Sequence, residues 1–215
     1  MLSCTVICGV DEAGKGSVLG PLVIAAVAAE SEDALSDLEV KDSKVLTPRR
    51  RTALCTAITG RCRIATVVIP PDRIDSSRRE ITLNECVARG HASVIRKLQP
   101  VTAYVDACDV NEFRYARMVT AHLEEPCRIV SEHRADETYP IVSAASIVAK
   151  VIRDREIELI AERFGPVGSG YPSDPETIAY LSSYIREHRS PPPIARKSWK
   201  TIKFLMADLY QTRLF

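Results

Sequence analysis

Val6-Ile-Cys-Gly-Val10 runs straight into Asp11 and Glu12, and Ala13-Gly14-Lys15-Gly16 follows at once. Adjacent carboxylates at the end of an apolar run are what a hard divalent cation selects: oxygen donors on a rigid element. Asp106 closes a second such run, Val101-Thr-Ala-Tyr-Val105, and Asp136 stands before a long helical pattern. Carboxylates at neighbouring strand ends can converge on two metal ions roughly 3.5–4 Å apart, which stabilise the attacking and leaving oxygens of a phosphoryl displacement. Spacing does not separate these residues from Asp109, Glu132 and Asp154, which are equally available. No serine, cysteine or histidine constellation competes strongly, and His91 reads as a packed residue at the edge of the core. The residue types therefore reach metal-assisted phosphoryl chemistry and no further.

Side chains alternate along a regular strand, so Asp11 and Glu12 serve one site only if the strand ends at them. Gly14 and Gly16 are expected to end it, supplying backbone freedom for a tight connection to Leu22-Val-Ile-Ala-Ala-Val27. A phosphate-binding loop is the rival reading, since Gly9-x-x-x-x-Gly14-Lys15 fits that pattern until Gly16 stands where Ser or Thr is required. Two carboxylates inside the loop would also repel phosphate, and a strand rather than a helix follows.

The positioning elements are expected in this order. Val6–Val10 and Leu22–Val27 read as buried strands. Glu30–Asp37 is a surface loop or short helix. Thr47-Pro48 starts a helix whose first turn carries Arg49, Arg50 and Arg51. Arg63–Ile69 is a strand ended by Pro70-Pro71, Ile81–Leu98 an amphipathic helix, Val110–Leu123 a helix and Arg128–Ser131 a last strand. His133–Glu137 reads as a polar loop. A long helix then runs to Phe164, with Ile141, Ala144, Ala145, Val148 and Ile152 at helical spacing, and Gly165 stops it. Ser173-Asp174-Pro175-Glu176 is an N-cap signature for a helix reaching His188. After Ser190-Pro-Pro-Pro193, Trp199, Ile202, Met206 and Leu209 stripe a final helix. Strands first, then strand and helix alternating, indicate a mixed sheet flanked by helices.

The chain's 215 residues suit one well-cored domain with an appended element. Its net charge of +1 means that nucleic-acid contacts must come from local patches. No apolar run reaches the roughly 18 residues of a membrane span, and the N-terminus shows no basic leader. A cytoplasmic location is expected. Seven scattered cysteines, without a paired spacing, read as reduced thiols.

Gly9-Val-Asp-Glu-Ala-Gly-Lys-Gly16 resembles the signature of type 2 ribonucleases H, the ribonuclease HII family. So do Lys41-Asp-Ser-Lys44, Ala103-Tyr-Val-Asp106, Ala135-Asp136 and Val142-Ser-Ala-Ala-Ser146-Ile-Val-Ala-Lys150. Gly168-Ser-Gly-Tyr-Pro-Ser-Asp-Pro175 and Ser198-Trp-Lys-Thr201 are similar to the archaeal and eukaryotic branch. The resemblance implies a ribonuclease H-like α/β fold, a central mixed β-sheet flanked by helices, with a C-terminal helical extension. It divides the chain into a catalytic domain over 1–165 and a helical substrate-binding portion over 166–215. It implies hydrolysis of the RNA strand of RNA/DNA hybrids, and incision at single ribonucleotides in duplex DNA, leaving 5′-phosphate and 3′-hydroxyl ends. By resemblance Asp11, Glu12, Asp106 and Asp136 bind Mg²⁺ or Mn²⁺. Gly14, Lys15, Gly16, Lys44, Ser146 and Tyr171 contact the substrate, with Tyr171 reading the RNA-to-DNA junction at the 2′-hydroxyl. Lys15 departs from the commoner arginine, which keeps the charge and loses a planar donor fork. The chain is expected to be a monomer. At the C-terminus, Gln211, Leu214 and Phe215 resemble a shortened motif for docking on the replication sliding clamp; the alternative is a tail folded back on the core.

Overall fold

A computed structural model of the chain describes residues 6–38, 40 and 46–211. The backbone forms two compact units. The first takes the described residues up to Ala13, then Val23–Val67 and Leu83–Ile152; the second takes Gly14–Leu22, Val68–Thr82 and the described residues from Arg153 onward.

Five short runs rich in small and β-branched residues pair into one mixed sheet: β1 (Ile7–Ala13), β2 (Leu22–Ala29), β3 (Arg63–Ile69), β4 (Thr102–Asp106) and β5 (Arg128–Glu132), in the order β3-β2-β1-β4-β5. β1 is antiparallel to β2 and parallel to β4, and β4 is parallel to β5. β2 is buried on both faces for all but its last residue, hence its unbroken apolar run. The β1–β4 ladder stops at Val10↔Val105, while β1 continues against β2 to Ala13↔Val23. The expected strand end at the two carboxylates is therefore corrected. Asp11 and Glu12 lie inside β1, opposite Ala25 and Ile24, and it is the parallel partner that ends there, so that Asp106 at the end of β4 feels the charge of both although they leave by opposite faces.

Helices α1 (Pro48–Arg61), α3 (Leu83–Leu98), α4 (Glu112–Thr120), α5 (Ala135–Thr138) and the first half of α6 (Pro140–Phe164) complete the first unit. α3 packs on β1, and α4 on both α3 and β5. On the other face, Ala13, Val23, Ala25 and Val27 share a core with Ile141, Val142, Ala144, Ala145 and Val148 of α6. Gly9 lets α6 come this close, because a Cβ there would overlap the Ile141 carbonyl. All residues from Ile141 to Ala149 are buried. The helical spacing expected of α6 is thus only part of its buried surface, since a helix covered on every side has no polar stripe. The Thr47 hydroxyl caps α1 by accepting from the Arg50 amide at 3.3 Å.

The second unit holds α2 (Pro71–Ser77), the rest of α6, α7 (Pro175–His188) and α8 (Lys200–Gln211). Its core joins Val18, Leu19, Val167, Leu181, Ala195 and Ile202. Leu19 bridges Ala195, and the Gly170 carbonyl accepts from the Val18 and Leu19 amides at 2.8 and 3.1 Å. Asp174 caps α7, accepting from the Glu176 amide at 3.0 Å. Pro70-Pro71 ends β3 as expected, and Pro71 also opens the short helix α2; one local expectation changes, since Ala135–Thr138 of the expected polar loop is helical. No helix among the described residues is long and apolar enough to cross a membrane.

Candidate active site

Alternation along β1 sends Asp11 and Glu12 to opposite faces of the sheet. Asp11 shares its face with Gly9 and Ala13, and receives a hydrogen bond from the Ser146 hydroxyl on α6. Its Oδ1 also accepts from the Glu12 amide at 2.7 Å. Glu12 leaves by the other face, where its Oε2 lies 3.1 Å from Nε2 of His91 on α3. Asp106 ends β4, and its Oδ1 accepts from the Ala135 amide at 3.0 Å. That bond is possible because Arg134 takes a left-handed turn, φ 55°, between β5 and α5. The same turn sets Asp136, only 9% exposed, in the first turn of α5.

The four carboxylates feel one another. Burial pushes the Asp11 carboxyl well above the usual carboxylate range, and the charges of Glu12 and Asp106 push it further. Burial likewise raises Asp106, to about 6; the Ala135 amide opposes this, while the charges of Glu12 and Asp136 add to it. No three of the described His, Cys, Asp and Glu side chains form a ready coordination cage. The donor set is nevertheless all carboxylate oxygen, buried at Asp11 and Asp136 and part-buried at Glu12 and Asp106, and mutually repelling, which suits a hard divalent cation that would neutralise it.

The carboxylates that spacing left equivalent are separated by the fold. Asp109 is bound to the Arg114 guanidinium and accepts from the Asn111 amide at 3.0 Å and the Asn84 amide group at 3.1 Å. Those partners hold it down to about 2, the Asn111 amide first. Glu132 accepts from the Tyr139 hydroxyl at 2.6 Å. Asp154 belongs to the second unit. His91, expected at the edge of the core, is instead wholly buried and tied to Glu12. Its partner Tyr115, also wholly buried, drew no notice in the sequence.

In the second unit, Gly14 has φ 83°, and a Cβ there would meet the Pro21 carbonyl at 2.8 Å and Arg153 at 2.6 Å. Gly16 differs from expectation: its φ is not positive and a Cβ would meet nothing, so the turn itself does not require glycine there. Arg196, fully buried, gathers the carbonyls of this turn. It donates to Gly14 O at 2.6 Å, Lys15 O at 2.9 Å and Gly20 O at 3.1 Å. Tyr171 is half-buried with the Arg153 guanidinium 4.5 Å over its ring, and Arg153 donates to Ser169 O at 2.7 Å. Neither arginine is singled out by the sequence: Arg196 at least follows a proline run, whereas Arg153 lies in the interior of α6 with no local signal. Ser146 is buried. Lys44, Leu214 and Phe215 lie outside the described residues, and α8 runs to Gln211.

The chain resembles known proteins over nearly its whole length. Residues 8–202 match the family model for ribonuclease HII. The ribonuclease HII of Methanoregula boonei is 62% identical over 208 residues, covering 97% of this chain and 98% of that protein. The crystal structure of ribonuclease H2 from Pyrococcus horikoshii OT3 superposes with a TM-score of 0.89 at 38% identity, covering 96% of this chain and 99% of that one. The ribonuclease HII of Archaeoglobus fulgidus, solved in complex with PCNA, does so with a TM-score of 0.86 at 45% identity, covering 91% and 95%. A mixed sheet carrying carboxylates on two parallel neighbours, with a family match over nearly its whole length, places this chain in the ribonuclease HII family, and it is a ribonuclease H, a nuclease among the hydrolases.

Proposed function

We propose that the chain hydrolyses the RNA strand of RNA/DNA hybrids and incises duplex DNA at single ribonucleotides, with Asp11, Glu12, Asp106 and Asp136 holding Mg²⁺ or Mn²⁺. The observation that carries this is the gathering of those carboxylates by β1, β4 and α5 within reach of one another's charge, where burial first, and then the charges of Glu12 and Asp136, raise Asp106 to about 6. Divalent ions bound there would supply the positive charge that activates a water and stabilises the leaving oxygen. The protein's part is positional. Ser146 and the Glu12 amide fix Asp11, the Ala135 amide fixes Asp106, and the left-handed Arg134 sets Asp136.

Substrate phosphates find donors at Gly14-Lys15-Gly16. Across a trans peptide the N–H points opposite to the C=O. Because Arg196 draws the Gly14 and Lys15 carbonyls inward, the amides of Lys15 and Gly16 face the other way, as an anion-binding pair needs. The open space at Gly16 admits a close backbone approach. Lys15 adds charge, and Lys44 and Ser146 are proposed as further substrate contacts. Tyr171, its ring held by Arg153, reads the sugar at the RNA-to-DNA junction. Gln211, Leu214 and Phe215 are proposed to dock on the sliding clamp. That reading is supported by the Archaeoglobus fulgidus relative, whose structure is a complex with PCNA.

The deciding experiment incubates the protein with Mg²⁺ and a duplex DNA bearing one ribonucleotide, beside a long hybrid. Incision with 5′-phosphate and 3′-hydroxyl ends is expected; no incision with Mg²⁺ or Mn²⁺ overturns the proposal. Shortening the chain to end at Tyr210 should abolish clamp binding and leave thermal stability unchanged. Lowered stability with clamp binding intact would make the tail part of the core.

A further inference from the structure

We infer that His91 and Tyr115 form a positioning relay that fixes Glu12 in one orientation and so sets the affinity of the site for Mg²⁺. The inference rests on the reading of Glu12 as a metal ligand. His91 sits in the middle of α3 among Val87, Ala88, Ala92, Val94 and Ile95, all buried, and is itself fully buried. A neutral imidazole in such surroundings loses its hydration and must recover hydrogen bonds from the protein. It recovers two. Nε2 lies 3.1 Å from Oε2 of Glu12, and Nδ1 lies 3.1 Å from the Tyr115 hydroxyl.

The direction of the chain follows from the donors available. In a neutral imidazole one ring nitrogen donates and the other accepts, so a carboxylate partner places the hydrogen on Nε2 and leaves Nδ1 as the acceptor. The Tyr115 hydroxyl, which also meets the Cys108 thiol, then donates to Nδ1, and burial raises its pKa well above the ordinary phenol value. Tyr115 comes from α4, which packs on α3, and its ring stands edge-on to the imidazole, with centroids 5.7 Å apart at 86°. The phenol locks the tautomer, the imidazole locks Oε2, and Oε1 of Glu12 is left for a cation. This inverts the usual order, in which an outer carboxylate orients a metal-binding histidine, but the physical role is the same. Mg²⁺ demands near-ideal octahedral geometry, so it is the ion most sensitive to a ligand that swings.

The test compares wild type with His91→Phe, His91→Gln and Tyr115→Phe. Phenylalanine fills the ring's space without a donor, whereas glutamine keeps an amide N–H near the position of Nε2. The readouts are the Mg²⁺ concentration for half-maximal cleavage, calorimetric binding of Mg²⁺ and Mn²⁺ without substrate, and the thermal midpoint. His91→Phe should raise the Mg²⁺ requirement and weaken calorimetric binding by about tenfold or more, the scale set by outer ligands elsewhere. His91→Gln should restore most of that loss. Tyr115→Phe should shift both in the same direction by less, and, having lost one oxygen only, should fold whatever becomes of the histidine variants. Metal binding within twofold of wild type in both His91→Phe and Tyr115→Phe overturns the relay; so does a loss in His91→Phe that His91→Gln shares in full. Should wild type itself bind neither ion, or bind them unchanged in Glu12→Gln, the assignment of Glu12 as a ligand is what fails.

Discussion

Asp11 is where the conflict between stability and function is sharpest. Its carboxylate is buried among like charges, yet it keeps hydrogen bonds from Ser146 and the Glu12 amide. Asp11→Asn keeps an oxygen for the Glu12 amide, sets an amide group beside the Ser146 hydroxyl, which can donate or accept, and removes the repulsion. The variant should therefore melt a few degrees higher without metal, a shift of 2–4 °C being what about 1 kcal/mol gives in a chain this long. Cleavage should fall by roughly a thousandfold or more, since a metal contributes several kcal/mol to such a displacement. Differential scanning calorimetry and a cleavage time course check the two halves; near-normal cleavage at saturating Mg²⁺ removes Asp11 from the site. Tyr171→Ala tests a different energy. A stacked contact is worth about 1–3 kcal/mol, whereas phosphate contacts are blind to sequence. The rate on a single-ribonucleotide duplex should thus drop more than that on a long hybrid. An equal drop on both would leave Tyr171 as a packing residue beneath Arg153.

Among the elements, the crossing of α6 over β1 does the most positioning. α6 brings Ser146 to Asp11 only because its first turn rests on the backbone of Gly9, where no side chain intervenes. Gly9→Ala forces a Cβ against the Ile141 carbonyl, which is backbone and cannot rotate aside. Such overpacking typically costs about 1–3 kcal/mol, and the relief is a shift of α6 away from the strand. Urea unfolding should show a lower midpoint. Because Ser146 retreats with the helix, kcat should fall in protein that is still fully folded. A variant with wild-type stability would show that α6 can give way without loss. α5 works similarly at a smaller scale: one left-handed residue and one amide bond to Asp106 replace what a longer helix would achieve by packing.

Across the whole molecule, the shifted carboxylates divide into two groups with opposite pH behaviour. Asp174 is held to about 2, by Ser169 first, so the stability it contributes is present above pH 4 and is lost as pH falls toward 2. Asp106 is raised to about 6, so its effect runs the other way: protonated and harmless below pH 4, it destabilises the metal-free fold as pH rises through 6. Asp106→Asn should accordingly match wild-type stability near pH 4 and exceed it increasingly up to pH 7, with the advantage removed by Mg²⁺. Asp174→Ala should be less stable than wild type at pH 7, with the gap closing below pH 4. Unfolding curves across this pH range decide both, and an Asp106→Asn advantage independent of pH would contradict the cost assigned to burying the Asp106 charge beside Glu12 and Asp136.

Local sequence determined whatever depends on local periodicity. The apolar runs ending at Asp106 and leading to Asp11 and Glu12 announce strands, Thr47-Pro48 and Asp174-Pro175 announce helix starts, and the mixed sheet follows from their order. Tertiary structure decided which polar groups have partners. Asp109 and Asp136 look alike in the sequence, yet one is bound to Arg114 and the other faces Asp106. A histidine in an apolar stripe has the same local signature whether it idles in the core or bonds a carboxylate 79 positions away. Arg196, in a proline-rich stretch, carries no local sign of burial; it is fully buried because carbonyls from Gly14, Lys15 and Gly20 meet its guanidinium. Burial of a polar side chain is favourable only where distant parts of the chain supply its hydrogen bonds, and no window of neighbouring residues contains that information.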